Sequence, residues 1–278
     1  MKKLFFFILY TFLLNPDTAM AQYEYDQSER AAFPWPEGVT CAVSLTFDDA
    51  RLSQIDKGIP LLNQYNVKAT FYISPERFLE RLDGWKQTVS DGHEIGNHSM
   101  SHPCTGNYAF SRDNALEDYN LDRMARELDE ANRFIKNHLE IQVYSYAYPC
   151  GQKFVGRGLD VQSYVPLVAG RFLTGRGWLD ESANDPWLCD FSQLMAMESD
   201  GKSFDDLKSL LDNAAAEGGW LILAGHEMDE EGRQTTLLSS IVELCEYVQD
   251  SESGIWIDTV HAIATYIRDH RDQTPEAP

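Results

Sequence analysis

Short apolar runs alternate along most of the chain with longer stretches whose apolar residues recur at helical spacing. Residues 41–47 form the first run and predict a strand. A helix is expected over 59–65, a strand over 69–73, a helix from Pro75 to Val89, and a short extended piece at Glu94-Ile95-Gly96. From Leu116 onward Leu121, Met124, Leu128, Ala131 and Ile135 share one face of a long helix. Strands are expected at 143–148 and 220–224, with shorter ones at 172–174 and 194–197. Leu207, Leu211 and Ala214, then Ile241, Leu244 and Val248, then Val260, Ile263 and Ile267 mark three further helix faces. This alternation predicts parallel strands with crossover helices, an α/β barrel at this length, whose chemistry gathers at the carboxyl ends of its strands. Between Asn97 and Arg112 the periodicity lapses into Ser, Pro, Gly and Asn, the mark of a functional loop.

The ends of the chain read differently. Lys2 and Lys3 precede an apolar run over 4–14, and Ala19-Met20-Ala21 offers a small-x-small cleavage site. Residues 1–21 therefore read as a signal peptide, too short in its apolar part for the roughly 20 residues of a membrane span. The expected product is exported, to a periplasm or outside the cell, without stable membrane insertion. No linker or low-complexity block interrupts Val39 to Arg268, so 22–278 is expected to be a single catalytic domain, with 274–278 a frayed tail. The 23 basic and 44 acidic residues leave a net charge of -21, which repels phosphate backbones and argues against nucleic acid as a partner. The five cysteines fit no zinc-ribbon spacing. Cys41 and Cys245 fall on apolar faces and read as small buried hydrophobes.

Chemistry concentrates at four places. Leu45-Thr46-Phe47-Asp48-Asp49 ends the first strand with adjacent carboxylates, which buried positions tolerate only beside a cation or donors. A helix N-cap is the structural alternative for either acid. His98-Ser99-Met100-Ser101-His102 places two imidazoles four residues apart, where they can meet at one ion. Joined to the acidic strand end, they make an Asp/His/His set that leaves positions open for water, as catalytic metal sites do. Gly225-His226-Glu227 sets a histidine after an apolar strand, as a proton donor or as a residue satisfied by backbone groups. Tyr146-Ala147-Tyr148-Pro149-Cys150-Gly151 builds a turn that can aim a backbone N–H at a ligand.

These motifs resemble those of the NodB-homology polysaccharide deacetylases, carbohydrate esterase family 4, over roughly Val39 to Arg268. Thr46-Phe47-Asp48-Asp49 and His98-Ser99-x-x-His102 match its first two motifs, in order and about fifty residues apart, and His226 matches its last. The resemblance implies a distorted (β/α) barrel, usually of seven strands. It implies a divalent metal held by Asp49, His98 and His102, zinc foremost, with cobalt or nickel accepted at related sites. Asp48 would be the general base and His226 the general acid. The backbone N–H of Cys150, with Tyr148 beside it, would meet the oxyanion and substrate. It also sets Cys104 and Cys150, each after a proline, beside the metal, where a disulfide is expected.

Two departures stand out. The arginine usual two residues before the third motif's proline is Ala147 here. Its place beside Asp48 is expected to fall to Arg176, with Arg171 the weaker candidate. The fourth motif, Asp-x-x-Asp-Trp-like, has no clean match, leaving Asp180, Asp185, Trp178 and Trp187 as candidates. The activity implied is removal of N- or O-linked acetyl groups from a glycan. Hydrolysis of another C–N amide bond is the alternative enzyme, and an inactive carbohydrate-binding module the alternative outside enzymes. Tyr108, Phe110, Trp178 and Trp187 are candidates for stacking on sugar rings, or for covering core edges. The identity of the glycan and the oligomeric state are not legible.

Overall fold

The computed structural model describes residues 31–250 and 252–271. The predicted signal peptide and the tail at 274–278 lie outside the described residues. Eight strands make the main sheet: β1 Cys41–Asp48, β2 Thr70–Ile73, β3 Glu94–Asn97, β4 Ser145–Ala147, β5 Thr174–Arg176, β6 Met197–Glu198, β7 Trp220–Gly225 and β8 Ile255–Ile257. Seven follow the order β5-β4-β3-β2-β1-β7-β6, all parallel, and β8 pairs with the amino-terminal half of β1. At the β5 end of that path Arg176 bridges Leu194, three residues before β6, with the Gly177 N–H donating to Leu194 O at 2.7 Å and the Leu194 N–H to Gly175 O at 2.8 Å. The result is the distorted (β/α) barrel that the resemblance implies, built from the parallel strands that the alternation predicts.

β1 is buried at every position, as a strand covered on both faces must be. Cys41, Val43, Leu45 and Phe47 belong to a core cluster that includes Leu207 and Leu211 of α4 (Phe204–Glu217) and Ile241 and Leu244 of α5 (Leu238–Gln249). The longer helices before these are α1 Ile59–Gln64, α2 Leu82–Ser90 and α3 Leu121–Leu139, and α6 Val260–Arg271 follows. The two-residue period puts Ala42, Ser44, Thr46 and Asp48 on the opposite face. There Trp220 Nε1 donates to Ser44 Oγ at 3.1 Å, and Thr46 Oγ1 to Leu223 O at 2.9 Å.

Three expectations need correction. The helix expected from Pro75 to Val89 is broken into Pro75–Phe78, the 3-10 turn Leu79–Arg81 and α2. The strand expected at 172–174 begins at Thr174, because the chain is still closing a turn there, with the Phe172 N–H on Val168 O. Gly175 is required within it, since a Cβ would stand 2.8 Å from Ser192 O and 3.0 Å from Tyr148 Cε2. β8 was not anticipated, being three residues in a stretch rich in Ser and Gly.

Candidate active site

At the carboxyl end of β1 the backbone turns sharply, with Asp49 at φ 73 and Ala50 at φ 51. Non-glycine residues in this region cost about 1–3 kcal/mol each and persist where their surroundings enforce them. Here a buried side chain does so: Gln54 Nε2 donates to Asp48 O at 2.7 Å and to His226 O at 2.8 Å, tying the ends of β1 and β7 together. Asp49 then divides its two oxygens. Oδ2 accepts from Arg51 Nη2 at 2.8 Å, and Oδ1 lies 3.5 Å from both His98 Nε2 and His102 Nε2.

The two histidines sit on a loop clamped to α3. Asn97 donates to Leu128 O at 3.0 Å and Asn132 Oδ1 at 2.8 Å, and accepts from the Ser99 N–H at 2.7 Å. Glu127 accepts from the Met100 and Ser101 amides at 3.1 and 2.9 Å. His98 Nδ1 donates to Ala147 O at 2.9 Å, since a carbonyl can only accept, so in the neutral tautomer the lone pair is on Nε2, which faces Asp49. Burial, with repulsion from a protonated His98 adding to it, lowers the His102 pKa to about 4, so its ring is neutral and free to ligate at neutral pH. Burial alone would raise the Asp49 carboxyl, but attraction to Arg51, and to His98, His102 and His226 in their protonated forms, outweighs it and holds it well below the usual carboxylate range.

These residues fit a metal ion. The three ligand atoms lie within 4.8 Å of one another, and a tetrahedral ion with bonds of about 2.1 Å spaces its ligands roughly 3.4 Å apart, close to the 3.5 Å from Asp49 Oδ1 to each imidazole. Cys104 and Cys150 also lie beside His102, but their sulfurs are joined to each other, so they are not ligands.

Asp48 and His226 each have a partner. Arg176 ends β5 opposite Ala147 in the register with β4, so an arginine one strand away occupies the level where the third motif lacks one. Its side chain is fully buried, donates from Nη2 to Asp48 Oδ1 and from Nη1 to Gly177 O at 2.9 Å, and packs 4.8 Å over the Tyr72 ring. His226 Nδ1 bonds Asp200 Oδ2 at 2.7 Å, while Asp200 Oδ1 accepts from the His226 N–H at 3.1 Å and from Thr236 Oγ1 at 3.0 Å. Burial opposes a charged imidazole there, but the bond to Asp200 and the nearby carboxylates of Asp48 and Asp49 override it and raise the His226 pKa above the ordinary value.

Other candidates fall elsewhere. Arg171 pairs with Asp129 at 2.7 Å and does not reach Asp48. Tyr148 is a core residue: its ring is fully buried and its hydroxyl donates to Ser192 O at 2.7 Å, so its side chain is not a substrate contact. Cys150 does stand at the site, at φ 54, in a turn whose next two amides, of Gly151 and Gln152, close on Tyr148 O and Pro149 O. The Cys104–Cys150 disulfide, with Cα atoms 6.0 Å apart, joins that turn to the His102 loop. Of the fourth-motif candidates, Trp178 packs edge-on against His226 at 4.9 Å. Asp180 accepts the Ala196 N–H at 2.9 Å, Asp185 accepts the Trp187 N–H at 2.7 Å, and Trp187 packs against Phe33 at 4.9 Å, so these three shape loops. The residue that sequence reasoning missed is Asp200, two positions beyond the end of β6; its signal was an acid just past a strand's carboxyl end.

Residues 39–159 match the polysaccharide deacetylase family. The peptidoglycan-N-acetylglucosamine deacetylase PgdA of Listeria monocytogenes is 36% identical over 62 residues, 22% of this chain and 13% of that protein. The chain's matches cover between 13% and 27% of the lengths of the first such relatives. Among solved structures, a candidate polysaccharide deacetylase from Mycobacterium smegmatis superposes with a TM-score of 0.64 at 16% identity, covering 90% of this chain and 97% of that one. A family 4 acetyl xylan esterase from Clostridium thermocellum, in complex with a cobalt ion, gives 0.53 at 19% identity, covering 81% and 91%. Both share the fold. No helix among the described residues is long and apolar enough to cross a membrane. With its first two motifs inside the matched stretch and the barrel continuing beyond it, the chain resembles the NodB-homology polysaccharide deacetylases in those motifs and in fold.

Proposed function

We propose that this chain is an exported, metal-dependent hydrolase, one catalytic domain after its signal peptide, that removes acetyl groups from a glycan. One observation supports this reading above the others. Asp48 and His226, beside the Asp49/His98/His102 group, each have an oppositely charged partner of their own, Arg176 and Asp200. A protein that only bound a glycan or an ion would need neither a supported base nor a supported acid.

Asp49 Oδ1, His98 Nε2 and His102 Nε2 would hold the ion, zinc foremost, with cobalt or nickel as substitutes. Bound there, the ion supplies Lewis acidity toward the acetyl carbonyl and lowers the pKa of a water. Asp48, held by Arg176, takes the proton of the attacking water. The Cys150 N–H donates to the carbonyl oxygen as negative charge develops on it. His226, whose protonated form the bond to Asp200 favours, hands its proton to the departing amine or sugar hydroxyl. The two oriented side chains thus complete one proton circuit, from water to leaving group.

Likeness to a peptidoglycan deacetylase and to an acetyl xylan esterase supports a glycan, and the two names differ on whether nitrogen or oxygen carries the acetyl. Acetate release by metal-loaded protein from chitin oligomers, acetylated xylan and peptidoglycan fragments decides both points. Release from at least one is expected. Silence on all three, with hydrolysis of a formamide or a small cyclic amide, would remove the glycan from the account.

A further inference from the structure

Next to the proposed metal ligands lies a surface that the chemistry does not use. Tyr108 and Phe110 are 46% and 70% exposed, Phe110 within the 3-10 helix Ala109–Asn114 and Tyr108 at its N-cap. Their rings are nearly parallel, 12° apart with centroids at 5.4 Å, and the Phe110 ring is 6.3 Å from that of His102. Exposed apolar surface of this kind, at the rim of a polar site, marks a place where a ligand is gripped.

The pair is held in place from beneath. Ser111 is buried and its hydroxyl donates to Cys104 O at 2.8 Å while accepting the Cys104 N–H at 2.9 Å. Cys104 is in turn bonded to Cys150. The Tyr108 N–H donates to Thr105 O at 3.1 Å and the Ser111 N–H to Tyr108 O at 3.0 Å, while Glu117 accepts from Thr105 Oγ1 and, at 3.0 Å, from the Gly106 N–H. The aromatic faces are therefore fixed before any ligand arrives, which limits the entropy lost on binding. Thr105, whose carbonyl accepts from the Tyr108 N–H, also lines a depression of about 400 Å³ with Glu117, Gln152, Lys153 and Phe154, which offers donors and acceptors.

We propose that Tyr108 and Phe110 form a stacking platform for a second sugar ring of the substrate, next to the one that carries the acetyl group. This rests on the deacetylase reading and adds to it which residues of this chain would hold the ring next to the acetylated one. A pyranose with equatorial substituents has two flat faces of C–H groups and a rim of hydroxyls. Such a ring covers an aromatic face while its rim stays free for polar partners, a match that a small cyclic amide or a formamide cannot make.

The test compares tetrameric with monomeric acetylated sugar. Phe110→Ala, and Tyr108→Ala separately, should lower the ratio of kcat/KM for tetramer over monomer at least tenfold, mainly through KM, and Phe110→Trp should restore it. An unchanged ratio overturns the platform. Binding is measured apart from turnover, by calorimetric titration of metal-loaded Asp48→Asn protein with the deacetylated and the acetylated tetramer. Adding Phe110→Ala should weaken whichever tetramer binds about tenfold. If neither tetramer binds, or if affinity is unchanged, the platform is wrong whatever the activity. If wild-type protein releases no acetate while Phe110→Ala weakens tetramer binding, the deacetylase reading fails and the platform stands.

Discussion

Asp48→Asn is expected to lower kcat for acetate release about a thousandfold, within the 10²–10⁴ range that a general base contributes. The side chain keeps its shape but loses its capacity to take a proton. Metal content should stay near that of the wild type, because Asp48 Oδ2 is 3.8 Å from His98 Nε2 and its Oδ1 is engaged by Arg176, whereas Asp49 Oδ1 is the oxygen central to both imidazoles. Asp49→Asn should therefore lose metal and activity together. Acetate release and metal content measured on the same preparations separate the two roles. Equal metal loss in both variants would mean that the adjacent carboxylates share the ion.

Arg176→Ala is expected to slow turnover about a hundredfold at unchanged metal content, the upper end of what losing the partner of an oriented active-site group costs. The guanidinium is fully buried and bridges Asp48 to the Gly177 carbonyl, so its removal leaves a carboxylate that is 5% exposed without its charge partner. Breaking a buried pair in this way costs about 3–5 kcal/mol of stability, which a fall in Tm would register. Arg176→Lys separates positioning from folding. The ammonium retains the charge but cannot make both bonds with the geometry of the planar fork. It should recover most of the Tm and only part of kcat. Full turnover in Arg176→Ala would show that Asp48 is oriented by something else.

Much of this site was legible because its residues obey local rules. The strand of residues 41–47 announces itself by its apolar run, and its end supplies both acids; β7 does the same for His226. The paired imidazoles are near in sequence, so their convergence needed no knowledge of the fold. Arg176 was legible more weakly, because the absence at Ala147 asked for a cation and only the β4–β5 register shows that one strand over is the right distance. Asp200 was hidden. It follows a two-residue strand, and its importance lies in reaching across to the end of β7, a contact with no local signature. The misplacement of β5 has a related cause. Thr174-Gly175-Arg176 has little strand character of its own, and its place is set by Ser192 and Tyr148 crowding against Gly175. Tyr148 misled for the opposite reason, since adjacency to a functional turn says nothing about where a side chain points, and alternation sends this one into the core.

Elemental analysis of purified protein, beside His98→Ala and His102→Ala, tests the proposed centre most directly. One equivalent of a divalent transition metal per wild-type chain, with each substitution removing most of it and acetate release falling in step, is the result expected. A full equivalent of metal retained by both variants would contradict the assignment of Asp49, His98 and His102 as the ligands.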